Sequence, residues 1–220
     1  MTEEEWLASK DIRRLVEYQS SQKRARKLRL FGCGCCRYFG AWNRVERMKQ
    51  ALIRAERFAD GELSESTMEK WSRDAWKAFS EARRGTTFSP EAEVYLAIRD
   101  VTMPSRYSEY TDAWRVFWIH ATDFQLTSKD EAINILLSLF RDVFGNPLRP
   151  VAFDAAWRTD TAVSLAKGMY ESRDFGVMPI LADALQDAGC DSEDVLNHCR
   201  DPEQTHVRGC WVVDLVLGKS

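Results

Sequence analysis

The fold class is decided by the stretch SKDEAINILLSLFRDVFGNP (residues 128–147). Ser128 and Glu131 stand three positions apart, the capping-box pattern that starts a helix. Apolar side chains then return every three or four positions, as on one face of a helix, and Gly145-Asn146-Pro147 ends the run. The sequence therefore predicts a well-marked helix here. Its apolar face holds Ala132, Leu136, Leu139, Phe140 and Val143.

Similar helix signals lie on both sides of this stretch. Thr2 and Glu5 form another capping box, Ser64 suits an N-cap, and Ser89-Pro90 pairs an N-cap with proline at the first helical position. Further apolar stripes at helical spacing follow each of these starts. We predict helices over most of the chain, including one that begins at Ser89-Pro90 and one that carries His120.

The last segment, residues 206–217, is ambiguous. Its β-branched pair Val212-Val213 suits a strand, whereas Val207, Trp211 and Leu215 recur at the four-residue steps of a helix. A lone strand would have no partner elsewhere in this chain, so we predict a helix.

The resulting fold prediction is all-α, an irregular bundle of about nine or ten helices around a Trp, Phe and Leu core. The chain has 220 residues and eight tryptophans, and each buried tryptophan removes on the order of 200 Å² from water. A single helical domain over residues 1–220 is expected, with a sub-boundary near residues 145–151, where two prolines interrupt helical structure.

Composition restricts the cellular setting. The first residues, MTEEEWLASK, are acidic and lack the apolar stretch of a secretory signal peptide, and no run of 18 apolar residues suits a membrane span. We therefore expect a cytoplasmic protein with no membrane partner. The six cysteines are then expected to stay reduced, as small apolar side chains, metal ligands or nucleophiles.

A candidate zinc site lies near the C-terminus. The spacing C-x8-C-x6-H-x3-C supplies four sulfur and nitrogen ligands, the number that a tetrahedral zinc ion takes. If this segment is helical, the last two ligands share one helix face. His198 is a rival fourth ligand, and packed reduced cysteines are the alternative to any metal. The predicted ligands are Cys190, Cys199, His206 and Cys210.

A second group of thiols comes from Cys33, Cys35 and Cys36. Cys33 and Cys36 share a helix face, and Cys35 points elsewhere. Small residues here let another helix approach closely, which is one interpretation. The others are a contribution to the C-terminal metal site and a reactive thiolate beside the basic residues upstream.

Charge is unevenly distributed. The net charge of −3 divides into +7 over residues 1–57 and −10 over residues 58–220. A basic stretch could contact phosphates or an acidic protein partner, or it could pair with carboxylates of this chain. Its residues are Lys23, Arg24, Arg26, Lys27 and Arg29.

Three segments resemble an uncharacterised family of short bacterial proteins. The first is MTEEEWL (residues 1–7), and the second is FGCGCCR (residues 31–37). The third is the C-terminal part, which consists of three shorter segments: LLSLFRDVFGNPLRPV (136–151), MPILADALQDAGC (178–190) and HCRDPEQTHVRGCWVVDLVLGK (198–219). Residues 60–130 are unmatched. The resemblance implies a bacterial source and no known activity, so it supplies no catalytic residue.

Function is predicted largely by elimination. The sequence lacks GxGxxG, a P-loop, HExxH and GxSxG. We expect a non-enzymatic binding or scaffold protein that acts through protein–protein contacts, without an obligatory cofactor. The alternative is a zinc-containing regulatory or nucleic-acid-binding module, and the third possibility is a cysteine-dependent enzyme. The oligomeric state is not indicated.

Overall fold

The computed structural model describes residues 1–22, 24–38, 46–82 and 128–219. Regular structure in these residues is entirely helical, which confirms the all-α prediction. The helices expected at Ser89-Pro90 and around His120 lie outside the described residues. The described α-helices are α1 (Glu3–Ala8), α2 (Ile12–Ser21), α3 (Ala25–Tyr38), α4 (Glu46–Ala59), α5 (Glu65–Ala82), α6 (Lys129–Phe144), α7 (Asp160–Ser172), α8 (Met178–Asp187), α9 (Glu193–Arg200) and α10 (Trp211–Leu217), with a 3-10 turn at Ala155–Trp157.

The helix ends follow the predicted capping chemistry. Thr2 and Glu5 exchange hydrogen bonds: the Thr2 amide donates to Glu5 Oε2 at 2.9 Å, and the Glu5 amide donates to Thr2 Oγ1 at 3.2 Å. Ser128 accepts from the Glu131 amide at the start of α6. Gly145 ends α6 in the left-handed region, with φ +58°. Local sequence therefore sets where these helices begin and end.

The chain divides into two compact units, which are described separately. Unit 1 comprises Met1–Ala8 and Ser138–Ser220, and unit 2 comprises Ser9–Leu137. Unit 1 holds 8 Lys and Arg against 16 Asp and Glu, a net −8, whereas unit 2 holds 23 against 18, a net +5. The prediction of a single domain stays a prediction.

In unit 2, α3 packs against α4, with α2 against α3 and α5 against α4. Two ion pairs join α3 to the α4 region. Arg26 donates to Asp60 Oδ1 at 3.0 Å, and Arg37 donates to Glu56 Oε1 at 2.6 Å. Both carboxylates are almost fully buried, so these pairs are part of the packed interior.

In unit 1, α8 packs against α9 and α7, and α10 packs against α7 and α9. The N-terminal helix α1 lies on the end of α6: Trp6 is buried against Phe140, and Arg141 donates to the Leu7 carbonyl. The main apolar core of this unit includes Trp157, Met169, Tyr170, Met178, Leu181, Leu185, Val195, Val212, Val213 and Val216.

The final segment is helical only in its second half. Helix α10 spans Trp211–Leu217, and residues 201–210 form turns and irregular structure before it. Gly218 closes α10 with φ +66°. None of the described helices is long and apolar enough to cross a membrane.

Candidate metal centre

Four side chains from four places in unit 1 converge on one point. Asp142 comes from the last turn of α6, His198 from α9, His206 from the loop after α9, and Cys210 from the N-cap of α10. One ligand atom from each side chain lies within 4.8 Å of all the others. Such convergence of O, N and S donors is the arrangement that a metal ion requires.

Four separations between the donor atoms run from 2.7 to 3.9 Å. Asp142 Oδ1 lies 3.1 Å from His198 Nε2 and 2.7 Å from His206 Nδ1. Cys210 Sγ lies 3.3 Å from His198 Nε2 and 3.9 Å from His206 Nδ1. Zinc bonds of about 2.0–2.3 Å place tetrahedral ligands about 3.3–3.7 Å apart. To surround a tetrahedral ion, Asp142 Oδ1 and His206 Nδ1 would have to move apart by at least about 0.6 Å, and Cys210 Sγ and His206 Nδ1 would have to move slightly closer.

Asp142 is the most constrained of the four residues. Its side chain is 0% exposed, and its second oxygen, Oδ2, accepts a hydrogen bond from the Val207 amide at 2.8 Å. Burial raises the pKa of the Asp142 carboxyl, but hydrogen bonds from His198 and His206, and the charges of these rings, bring the pKa below its usual value. The residue is therefore an oriented carboxylate.

The two histidines each present a single nitrogen to both neighbours. His198 Nε2 faces Asp142 and Cys210, and His206 Nδ1 faces the same two residues. A Cys–His–Asp catalytic relay needs the histidine to meet the nucleophile with one nitrogen and the carboxylate with the other. This geometry suits ligation of a common centre and does not suit a relay.

Cys210 is a thiol in the metal-free protein. Its side chain is fully buried, and burial together with the charge of Asp142 raises the pKa of the Cys210 thiol well above its ordinary value. A metal ion must displace this proton, because the thiolate is the ligand. The Asp142 carboxylate and the Cys210 thiolate would then balance the charge of a divalent cation.

The sequence-predicted ligands divide into two pairs. His206 and Cys210 belong to the cluster, together with His198, the rival ligand. Cys190 and Cys199 lie outside the group of four, within the apolar core of unit 1, and burial raises the pKa of Cys199 to about 12. The helix face that His206 and Cys210 would share in a helical segment does not form, because the residues before Trp211 are not helical.

Sequence reasoning missed Asp142 as a ligand. The residue lies on α6 at helical spacing from Leu139 and is buried beside Val143. A carboxylate within the apolar face of an amphipathic helix costs free energy unless it is paired, and this was the available signal. Its partners come from residues 56 to 68 positions later, a separation that local spacing does not encode.

The predicted basic contact residues have mixed surroundings. Lys23 lies outside the described residues, and Arg24 is exposed. Arg26 pairs with Asp60, Lys27 is buried, and Arg29 is buried with its guanidinium 4.7 Å from the Phe58 ring centre. Only Arg24 among the four described residues thus presents its side chain largely to solvent.

The α3 cysteines are all buried. Cys33, Cys35 and Cys36 have exposed fractions of 2% or less, and burial, with the charge of Cys33, raises the pKa of the Cys35 thiol well above its ordinary value. Among the described residues, they form no cluster of three or more metal-binding groups. Their surroundings are those of side chains packed in the interior.

No family model matches the chain, and neither a curated protein nor a solved structure matches it.

Proposed function

We propose that unit 1 binds one divalent metal ion, zinc by its donor set, as a structural centre. The observation that carries the proposal is the convergence of Asp142, His198, His206 and Cys210 on one point. Four protein ligands complete the tetrahedral sphere of zinc, whereas catalytic zinc sites keep one position for water. The ion therefore serves the fold of unit 1 and does not act on a substrate.

The positions of the ligands support a structural role. They come from α6, α9, the loop after α9 and the start of α10, so one ion would join four parts of unit 1. The loop that carries His206 contains turns but no regular helix, and its Val207 amide donates to Asp142. Metal binding would thus fix the loop through two neighbouring residues.

The donor set also favours a particular class of ion. Imidazole and thiolate ligands select zinc and similar transition metals, whereas magnesium and calcium prefer oxygen ligands alone. One carboxylate and one thiolate neutralise a +2 charge in a site that is almost closed to water. The two histidine side chains, 12% and 7% exposed, form its only solvent-facing side among these ligands.

The resemblance to short bacterial proteins extends this proposal. Asp142 lies in the segment over residues 136–151, and the other three ligands lie in the segment over residues 198–219. Proteins that carry both segments are therefore expected to hold the same centre. A role for this chain in protein–protein contact remains a prediction, and a structural metal is compatible with it.

Metal analysis and cobalt substitution test the proposal. Purified protein loaded with zinc and then dialysed is expected to retain one equivalent. Co²⁺ in its place is expected to give the intense visible bands of a tetrahedral site with a thiolate ligand. Asp142→Ala and His198→Ala are expected to lose the metal.

Cys190→Ala is the matched control, because Cys190 fits the sequence spacing but lies outside the cluster. It is expected to retain the full equivalent. Retention of less than a tenth of an equivalent by the native protein would overturn the proposal. Loss of metal in Cys190→Ala, with retention in Asp142→Ala, would assign the site to a different ligand set.

A further inference from the structure

The His198 ring has an unusual environment for a metal ligand. It meets Asp142 and Cys210 with Nε2, which leaves Nδ1 to fix the rotation of the ring. Ligating histidines almost always donate this second N–H to a carboxylate, a carbonyl or water. Within the part of the chain that the structure describes, no residue forms a hydrogen bond with His198 Nδ1. Packing of neighbouring side chains is a second way to restrict the rotation of the ring.

The packing is supplied by a neighbouring aromatic ring. Trp211 lies with its ring centre 5.1 Å from that of His198, at an interplanar angle of 50°. The ring of His206 lies on another side at 4.9 Å, but His206 is itself a ligand held by the same centre. Among the described residues, Trp211 is thus the aromatic ring outside the ligand set that packs against His198.

Trp211 is itself held by a glycine. A Cβ atom at Gly145 would lie 3.0 Å from Trp211 Cγ and 3.1 Å from Cδ2, so the indole lies directly against the Gly145 backbone. Gly145 follows Asp142 by three residues, and Trp211 follows Cys210 directly. The indole is therefore fixed relative to two ligands while it contacts a third.

We infer that Trp211, seated on Gly145, is a positioning residue that orients His198 for metal binding. This inference rests on the proposed function. The indole packs against the imidazole and restricts its rotation. It sets the direction of Nε2, and hence both the affinity of the centre and the geometry around the ion.

Removal of the indole should act on the metal through His198. Without the indole, the His198 ring would rotate more freely in the metal-free protein. Metal binding would then have to fix the ring, at a cost in conformational entropy that is smaller in the native protein. Substitution of residues that orient metal ligands weakens binding by about 10- to 100-fold. Trp211→Leu is expected to fall in this range, and Trp211→Phe, which keeps a flat ring, is expected to recover most of the affinity.

The test uses the full chain with Co²⁺ as the probe, because its visible spectrum reports ligand geometry. Trp211→Leu is compared with Trp157→Leu, which removes an indole from the core of the same unit, where its ring packs edge-on against Phe153. Trp211→Leu is expected to weaken Co²⁺ binding and shift the visible bands. Trp157→Leu is expected to lower the unfolding temperature with the bands unchanged.

Two results would overturn the inference. One is a native spectrum and affinity in Trp211→Leu, and the other is the same change in both variants, which would show general loosening of unit 1. If Trp211→Leu does not fold, Gly145→Ala displaces the indole by one methyl group and carries the same expectation. Failure of the native protein to bind Co²⁺ would be a failure of the proposed function instead.

Discussion

The protein contains two groups of buried cysteines that differ in what surrounds them. In unit 2, Cys33, Cys35 and Cys36 lie on one helix, where Cys33 and Cys36 share a face and Cys35 points elsewhere, so the three thiols do not converge on one point. In unit 1, Cys210 meets a carboxylate and two imidazoles that come from three other parts of the chain. Each unit contains three cysteines, and all six are buried. What distinguishes a candidate metal centre is the convergence of unlike donors from separate elements.

The largest expected effect is that of zinc on the stability of the protein, which should depend on the ligands in unit 1 and not on the cysteines of α3. Zinc at about 1,000 times its dissociation constant is expected to raise the free energy of unfolding by about 4 kcal/mol, because only the folded state assembles the four ligands. Urea unfolding followed by circular dichroism, with zinc and with a chelator, measures this difference. Cys35→Ala should keep the full increment, and Asp142→Ala should lose it. An equal free energy of unfolding with zinc and with chelator would mean that neither group of cysteines belongs to a metal site.

A second effect concerns the glycine under Trp211. Gly145→Ala is expected to cost about 3 kcal/mol, as the sum of a left-handed backbone for alanine and a methyl group pressed into the indole. Gly189→Ala is the matched control: Gly189 also has a positive φ, 88°, but a Cβ there would meet nothing within 4 Å. It is expected to cost about 1 kcal/mol. Thermal or urea unfolding of both variants measures the difference, and equal costs would show that the indole yields freely.

Local sequence rules account for several helix boundaries in the described residues. The capping box at Thr2, the N-cap at Ser128 and the closing glycines at 145 and 218 lie where the helices begin and end. These signals act within four residues of a helix end, so they can be recognised in the sequence without knowledge of the tertiary structure. The choice of helix for the last segment was correct over Trp211–Leu217, where the four-residue spacing outweighed the β-branched pair Val212-Val213.

The candidate site was only partly accessible to the same reasoning. His206 and Cys210 were found because they are close in sequence, and His198 was recognised as a rival for the same reason. Asp142 was missed because its partners lie more than 50 positions away and are brought to it by packing of α9 and the loop after it. Local spacing reports which side chains share an element, whereas a metal centre depends on how elements meet.

A smaller effect is expected from truncation of the α3 thiols. Cys35→Ala removes one buried sulfur atom, and the small cavity is expected to cost about 1 kcal/mol without changing the metal content. Cys210→Ala removes a similar volume in unit 1 but is expected to abolish retention of zinc. Metal analysis beside urea unfolding of both variants compares them. Loss of zinc from Cys35→Ala would mean that α3 also contributes to the centre.

The smallest effect is on the pH dependence of stability in metal-free protein. Burial raises the pKa of the Cys35 thiol, so above about pH 8.5 the unfolded chain loses this proton while the folded protein keeps it. The unfolded state then binds fewer protons, and the free energy of unfolding falls as the pH rises. Urea unfolding at pH 7.5, 8.5 and 9.5 should show a steeper fall in the native protein than in Cys35→Ala.

Below pH 7.5 the two proteins should show the same pH dependence, because the Cys35 thiol is then protonated in both the folded and the unfolded chain. This range serves as the internal control for the alkaline measurements. Equal slopes above pH 8.5 would mean that Cys35 ionises as readily in the folded protein as in the unfolded chain. The α3 cysteines would then form a polar and reactive site. Protonation of the thiols would no longer distinguish them from the cysteines of unit 1, and only the convergence of unlike donors on one point would.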